Sequence, residues 1–258
     1  FGGTHKHKTL WDWLNLAGVV AVPLVLAWFG FRLQLQQQKQ NDLQKKRELE
    51  QTKAQFEEEA LQHYLDRVSN LVLEKNLLAI SAKLPPTTEE RELLEASVAV
   101  IRLLTLSILR RLSDGVRKAS VVRILIDTDI ILGLKVSLRD ADLSDADLRG
   151  ADLFSANLRG AILTSAILND ADLSDADLNG ADLSGAYLSG ADLSGASLNG
   201  ADLSGASLRD ARKLTKEQLE KAYLCGTKLP EGIDMDPNRD CSKDYYEWLS
   251  EGRQLPPW

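Results

Sequence analysis

The chain has 258 residues, a formal net charge of −7 and a hydrophobic content of 44%, which is enough for more than one packed element. With a pI near 5.1 it is a poor candidate for nucleic acid, because its one basic segment is short and lacks interleaved aromatics. Two cysteines, Cys225 and Cys241, do not make a disulfide framework, and without histidine partners they do not make a metal site either, so unpaired thiols are expected.

Residues 1–13 read as an N-terminal tail, in which His5-Lys6-His7-Lys8 is a mobile basic stretch. Leu14 to Phe31 is apolar except for Asn15, Gly18, Pro23 and Gly30, and Trp11, Trp13 and Trp28 lie near its two ends. As a helix it would cover roughly 27 Å, close to the hydrocarbon thickness of a bilayer, so residues 14–31 are expected to form a single transmembrane helix. Arg32, Lys39, Lys45, Lys46 and Arg47 follow it, against Lys6 and Lys8 before it, a bias that places the C-terminal body on the cytoplasmic side. On this expectation the lipid bilayer is one partner of the chain, at a plasma or thylakoid membrane if its source is cyanobacterial.

Residues 32–59 are rich in Gln, Lys and Glu, with about one apolar position per heptad (Leu43, Leu49, Phe56), and read as a polar helical stalk. Residues 60–132 read as a small helical bundle. Leu61, Tyr64, Leu65, Val68, Leu71, Val72 and Leu78 form a stripe at helical spacing, and Pro85-Pro86 ends that element. Thr87-Thr88-Glu89-Glu90 then offers a capping box for a helix from about Thr88 to Leu112, and Ser113-Asp114-Gly115 breaks the chain before a further helix to about Ile126. A basic cluster, Arg110, Arg111, Arg117 and Lys118, falls across that break. It reads as a solvated helix face, a contact for anionic headgroups, or a contact for the acidic segment that follows.

From Ala141 to Leu208 every fifth residue is Ala and is followed two places later by Leu, in fourteen consecutive units. A five-residue period fits neither helix nor flat strand, so the chain must turn after every unit and stack on itself as a solenoid. Asp142-Leu143, Asp152-Leu153, Asn157-Leu158, Asp172-Leu173 and Asp192-Leu193 complete the pattern A-(D/N)-L-x-x. In this the segment resembles the pentapeptide-repeat proteins. The resemblance implies a right-handed, four-sided β-helix over residues 133–211, with Leu filling the bore, Ala packed beside it and the other positions facing solvent. Leu109-Arg110-Arg111-Leu112 and Gly115-Val116-Arg117-Lys118 are also similar to the region preceding the repeats in some membrane-anchored members, a group numerous in cyanobacteria. Residues 212–258 are read as a C-terminal cap and tail, with a short helix near Leu214 to Leu219 covering the open end and Tyr245, Tyr246, Trp248 and Trp258 packing back. The fold class is thus α plus β-solenoid.

If residues twenty apart stack, Asp152, Asp172 and Asp192 form a vertical carboxylate ladder, either a solvated feature or a docking face for Arg or Lys. Phe154, Ile162, Ile167 and Tyr187 break the polar pattern at outward positions and are expected to mark an interface. No histidine lies in the repeats and no phosphate-loop, dinucleotide or zinc-protease motif is present, so no catalytic, cofactor, metal or small-molecule site is assigned. The functional expectation is a membrane-anchored scaffold or assembly subunit, a homo-oligomer or part of a larger membrane complex. A DNA-mimicking regulator of a topoisomerase, as some relatives are, and a channel or transporter subunit are the alternatives.

Overall fold

The computed structural model describes residues 9–83 and 85–241, with side chains over the same range apart from 10–22. Residues 1–58 and 59–258 are two compact units. Helix α1, Leu10–Glu74, contributes to both. In the first unit its described side chains are exposed apart from Ala54 and Glu57, and the exposed ones include Leu24, Trp28 and Phe31. Local pairs support it there: Arg32 lies 5.1 Å from the centre of the Trp28 ring, and Gln44 donates to Glu48 at 3.0 Å.

The expectation of a membrane span is corrected. Among the described residues no helix is long and apolar enough to cross a membrane. Positions 14–22 of the expected span lie outside the described side chains. The single-pass placement, the cytoplasmic assignment of the body and the lipid bilayer as partner lose their support with it, as does the channel reading that depended on bundled spans.

In the second unit α1 ends at Lys75-Asn76, where Asn76 takes a left-handed conformation, and the chain continues through α2, Leu77–Ser81, α3, Thr88–Arg111, α4, Gly115–Asp127, and α5, Ile130–Gly133. Helix α3 starts in a reciprocal capping box: Glu90 N–H donates to Thr87 Oγ1 at 3.2 Å and Thr87 N–H donates to Glu90 Oε2 at 2.8 Å. Leu61, Tyr64, Val68 and Val72 of α1 are buried with Ile101, Ile108 and Leu109 of α3 and Val121, Val122 and Leu125 of α4. The Tyr64 hydroxyl reaches Thr105 Oγ1 at 2.9 Å inside this core, and burial pushes its pKa up to about 12.

The repeat segment coils with four pentads per turn. Parallel bridges join residues twenty apart on four sides: Asp142, Ile162, Asp182 and Asp202 on the first; Asp147, Ile167, Tyr187 and Ser207 on the second; Asp152, Asp172, Asp192 and Arg212 on the third; Asn157, Asp177 and Ser197 on the fourth. Each side contributes a single bridging residue, because the chain must turn again within five residues, and the pairing therefore never lengthens into a continuous strand. Leu138 to Leu208 line the bore at 2% exposure or less. The residue before each Ala sits at positive φ, for example Asp145 at 58° and Gly190 at 74°. At Gly190 a Cβ would also displace the Asp170 carboxylate one coil away.

The backbone donors explain the Asp of the repeat. In the pentad Ala171–Asp175, Ala171 N–H closes the corner onto Leu168 O, Asp172 N–H bonds Ala151 O in one neighbouring coil, and Leu173 and Asp175 N–H bond Asp192 O and Ser194 O in the other. Only Ser174 N–H is left over, and Asp172 Oδ1 accepts it at 2.9 Å. The same side-chain turn recurs from Asp142 to Ser144, Asp152 to Phe154, Asn157 to Arg159, Asp177 to Asn179, Asp182 to Ser184, Asp192 to Ser194 and Asp202 to Ser204.

The C-terminal cap differs from the expectation in two ways. Helix α6, Lys216–Leu219, is an insertion in the coil, after which the pairing resumes one residue later, Asp202 with Tyr223 and Ser207 with Lys228. Ala222-x-Leu224 and Thr227-x-Leu229 are thus two further pentads in a shifted register, where a plain tail was expected. Cys225 and Cys241 are joined in a disulfide, Cα atoms 4.7 Å apart, so the expectation of free thiols is also overturned: Cys225 sits at a pentad corner, to which the chain returns after sixteen residues. Closing a loop of that size constrains the unfolded chain by about 3 kcal/mol. The expected aromatic tail, from Tyr245 on, lies outside the described residues.

Leu168→Ala is expected to lower the unfolding free energy by about 2–5 kcal/mol, because the bore leaves no room for collapse, whereas Leu103→Ala at a 65% exposed helical position costs under ~0.5 kcal/mol. Urea titration of both variants checks the contrast.

Candidate interaction faces of the solenoid

The first coil is closed by the helical bundle. Lys118 is 3% exposed, and its Nζ donates to Asp142 Oδ1 at 2.7 Å and to Ser144 Oγ at 2.8 Å. Arg123 Nη2 donates to the carbonyls of Asp147 at 3.2 Å and Arg149 at 2.9 Å. Gly115 allows the approach, since a Cβ there would overlap the carbonyl oxygen of Asp145. Of the predicted basic cluster, Lys118 is therefore a clamp between α4 and the solenoid. Arg117 lies 3.7 Å from Asp114, and Arg110 and Arg111 form the last turn of α3, where positive charge suits the helix C-terminus. The four residues are divided between these settings, and Arg123, which the sequence did not single out as a site residue, belongs with Lys118.

Asp142 feels opposing influences. Burial raises its pKa, but hydrogen bonds from Lys118 and from the hydroxyl and N–H of Ser144 outweigh that and hold it below 3.8. A carboxyl depressed in the folded state contributes stability that is present above its unfolded pKa and lost as pH falls through the folded one.

Asp152, Asp172 and Asp192 stack as successive bridges on the third side. Their repulsion is moderated because each accepts a corner N–H, and the column ends in cations: Arg212 takes the next rung and Lys213 Nζ lies 3.1 Å from Asp192 Oδ2. The N–H and hydroxyl of Ser194, with Lys213, bring the Asp192 pKa down to about 2. On the first side the opposite holds for Asp202, whose pKa is raised by burial and by the facing Asp182 despite hydrogen bonds from Ser204.

Ile167 and Tyr187 are consecutive rungs of the second side, and Ile162 stands at a bridging position of the adjoining first side. Ile162 and Tyr187 are 43% and 52% exposed, and Ile167 is half-buried. Phe154 is not with them. It occupies the corner between the third and fourth sides, where it lines a groove of about 620 Å³ with Ile131, Leu132, Lys135 and Val136, at the joint of bundle and solenoid. The predicted interface residues thus separate into a face of three and one residue at the joint. All three occupy the position that elsewhere holds Asp, Asn or, at Ser197 and Ser207, Ser, and none offers a carboxylate or amide oxygen to the corner N–H of Thr164, Asn169 or Ser189.

Residues 135–170 and 171–210 match the family described as pentapeptide repeats, in 8 copies. The chain belongs to the pentapeptide-repeat family. No curated protein matches it. Solved structures similar to it include a pentapeptide repeat protein, Rfr23, from the cyanobacterium Cyanothece 51142, at 40% identity over 39% of this chain and 65% of that one, with a TM-score of 0.30. HetL, a pentapeptide repeat protein involved in heterocyst differentiation regulation in the cyanobacterium Nostoc sp. strain PCC 7120, is 40% identical over 38% of this chain and 48% of its own, with a TM-score of 0.21. QnrB1, a plasmid-mediated fluoroquinolone resistance protein, is 20% identical over 45% of this chain and 70% of its own, also at 0.21. The chain thus spans less than two thirds of the length of the first two.

Lys118→Ala is expected to cost about 1–3 kcal/mol at pH 7, less than a fully buried pair because Asp142 keeps some solvent. The difference from wild type should be full above pH ~4 and shrink as pH falls below it, which urea titrations at several pH values would resolve.

Proposed function

We propose that the protein is a non-catalytic scaffold that assembles through the solenoid face bearing Ile162, Ile167 and Tyr187. One observation carries this reading. At these three positions the repeat's Asp or Asn, which would accept a corner amide worth about 1 kcal/mol, is replaced by an apolar or aromatic side chain directed outward. A solenoid selected only for stability has no reason for that exchange, whereas a docking surface does. The remainder of the surface is acidic, with thirteen Asp against four Arg between residues 137 and 211, so the face is an apolar patch in a charged setting, as in the core and rim of an interface. The absence of histidine from the repeats and the use of the Asp carboxylates in corner turns support a binding role over a hydrolytic one.

A topoisomerase regulator that mimics DNA is the competing reading. It is weakened because the carboxylates are turned back onto their own backbone, and absence of inhibition in a supercoiling assay with the full chain would remove it.

The test is the mass of the assembled protein by native mass spectrometry, for wild type and for the double variant Ile167→Asp, Tyr187→Asp. Aspartate restores the acceptor at both corners, so the thermal midpoint should hold or rise while the complex falls to a smaller species. An unchanged mass would overturn the reading.

A further inference from the structure

We propose that the Cys225–Cys241 disulfide is a redox-released strap that closes the C-terminal end of the solenoid. The pentad Ala222–Gly226 sits at this end, and residues 238–240 take the place of a next coil. Within the solenoid, Leu183 N–H bonds Asp202 O at 2.8 Å and Gly185 N–H bonds Ser204 O at 2.7 Å. At the end, the equivalent donors meet side chains: Leu224 N–H bonds Asp240 Oδ2 at 3.0 Å and Gly226 N–H bonds Asn238 Oδ1 at 3.0 Å. Asp240 N–H returns a bond to Leu224 O at 3.2 Å. Arg239 closes the carbonyl side, donating through Nη2 to Leu219 O at 2.8 Å, Glu220 O at 3.2 Å and Ala222 O, while its Nε holds the Asp240 carboxylate at 3.0 Å. Three consecutive side chains thus imitate a rung of the ladder.

The strap is held by few means other than the covalent bond. Between Gly232 and Cys241 the apolar side chains packed against the core are Ile233 and Met235, both partly buried; Asp240 is buried through its bonds to the ladder, and the segment's further bonds are short-range ones within itself, such as Asn238 N–H to Asp236 Oδ1 at 2.9 Å and Arg239 Nη1 to Met235 Sδ at 3.0 Å. A segment with so little apolar burial is among the first to open. Cys225 is half-buried and Cys241 exposed, so a reductant can reach the bond. The chemistry needs a dithiol. Its thiolate attacks Cys241 Sγ, the S–S bond breaks, and Cys225 leaves as a thiolate that takes up a proton. The second thiol of the reductant then attacks the mixed disulfide, releasing Cys241 as a thiol and leaving the reductant as its own disulfide, so two electrons and two protons are transferred in all. Residues 230–241, beyond the Thr227–Leu229 pentad, then lose their covalent tie to the corner at Cys225, and the terminal rung is open to strand pairing.

The experiment is amide hydrogen exchange on the full chain, oxidised and after treatment with dithiothreitol, with thiol labelling to confirm that two cysteines are free. Exchange at Leu224 and Gly226 should accelerate at least tenfold on reduction and recover on reoxidation, while Leu183 and Gly185 stay as they were. Cys241→Ser should show the fast pattern without reductant and no response to it. The proposal is overturned if the bond resists the dithiol in the folded chain, if Leu224 and Gly226 stay protected once two thiols are free or in Cys241→Ser, or if the whole solenoid accelerates together.

Discussion

One amide per pentad governs the surface of this molecule. A five-residue side pairs four of its N–H groups, one at the corner and three along the ladder, and leaves the first corner N–H facing outward. The bore fixes Leu and Ala, but it is this remaining donor that fixes the residue between them. Asp or Asn accepts it and closes the corner, as Asp172 does for Ser174. Much of the acidic character of the rod follows from backbone satisfaction repeated side after side, and the remaining carboxylates, Asp140, Asp145, Asp170, Asp175 and Asp210, stand at the positive-φ corner before Ala. Where the residue between Ala and Leu is Ile or Tyr, the side chain has been released from that duty.

The two ends of the rod show how a coil is stopped. At the first coil, α4 lies close enough that Gly115 is required, and Lys118 reaches Asp142 and Ser144, so the bundle supplies both apolar cover and a cation for the acidic wall. At the last, α6 is inserted in the coil and Gln218 Nε2 donates to the carbonyls of Leu193 and Ala196, each at 2.8 Å, while the Thr227 hydroxyl donates to Leu203 O. A solenoid has no natural terminus, and each end here needs polar groups directed at specific ladder atoms in addition to a covering surface.

The period from Ala141 to Leu208 was sufficient to read the coil and to place Asp152, Asp172 and Asp192 in one column, because a five-residue repeat with one apolar stack admits few geometries. Less was legible where the spacing changes. Ala222-x-Leu224 keeps the motif but falls one residue out of phase after α6, and a strict count of five passes over it. The pairing of Cys225 with Cys241 depends on the chain doubling back to a corner, which a sequence separation of sixteen does not announce. The period sets Phe154 on a side before that of Ile162, but not its place after the Leu at a corner, where it meets the bundle. Lys118 looked like its basic neighbours, and only the approach of α4 to the first coil sets it apart. The apolar run at the start of α1 was legible as a run, but not as a membrane span.

The most direct measurement is residue-resolved amide exchange at the corners of the isolated chain. Ser174, Asn179, Ser184 and Ser194 follow an Asp that accepts their N–H, whereas Thr164, Asn169 and Ser189 follow Ile162, Ile167 and Tyr187. A corner hydrogen bond of about 1 kcal/mol should slow exchange in the first group roughly five- to tenfold relative to the second, after correction for intrinsic rates. Equal rates in the two groups would mean that the Asp side chains are not what closes the corners, and would remove the reason for treating the three apolar rungs as a surface set aside for assembly.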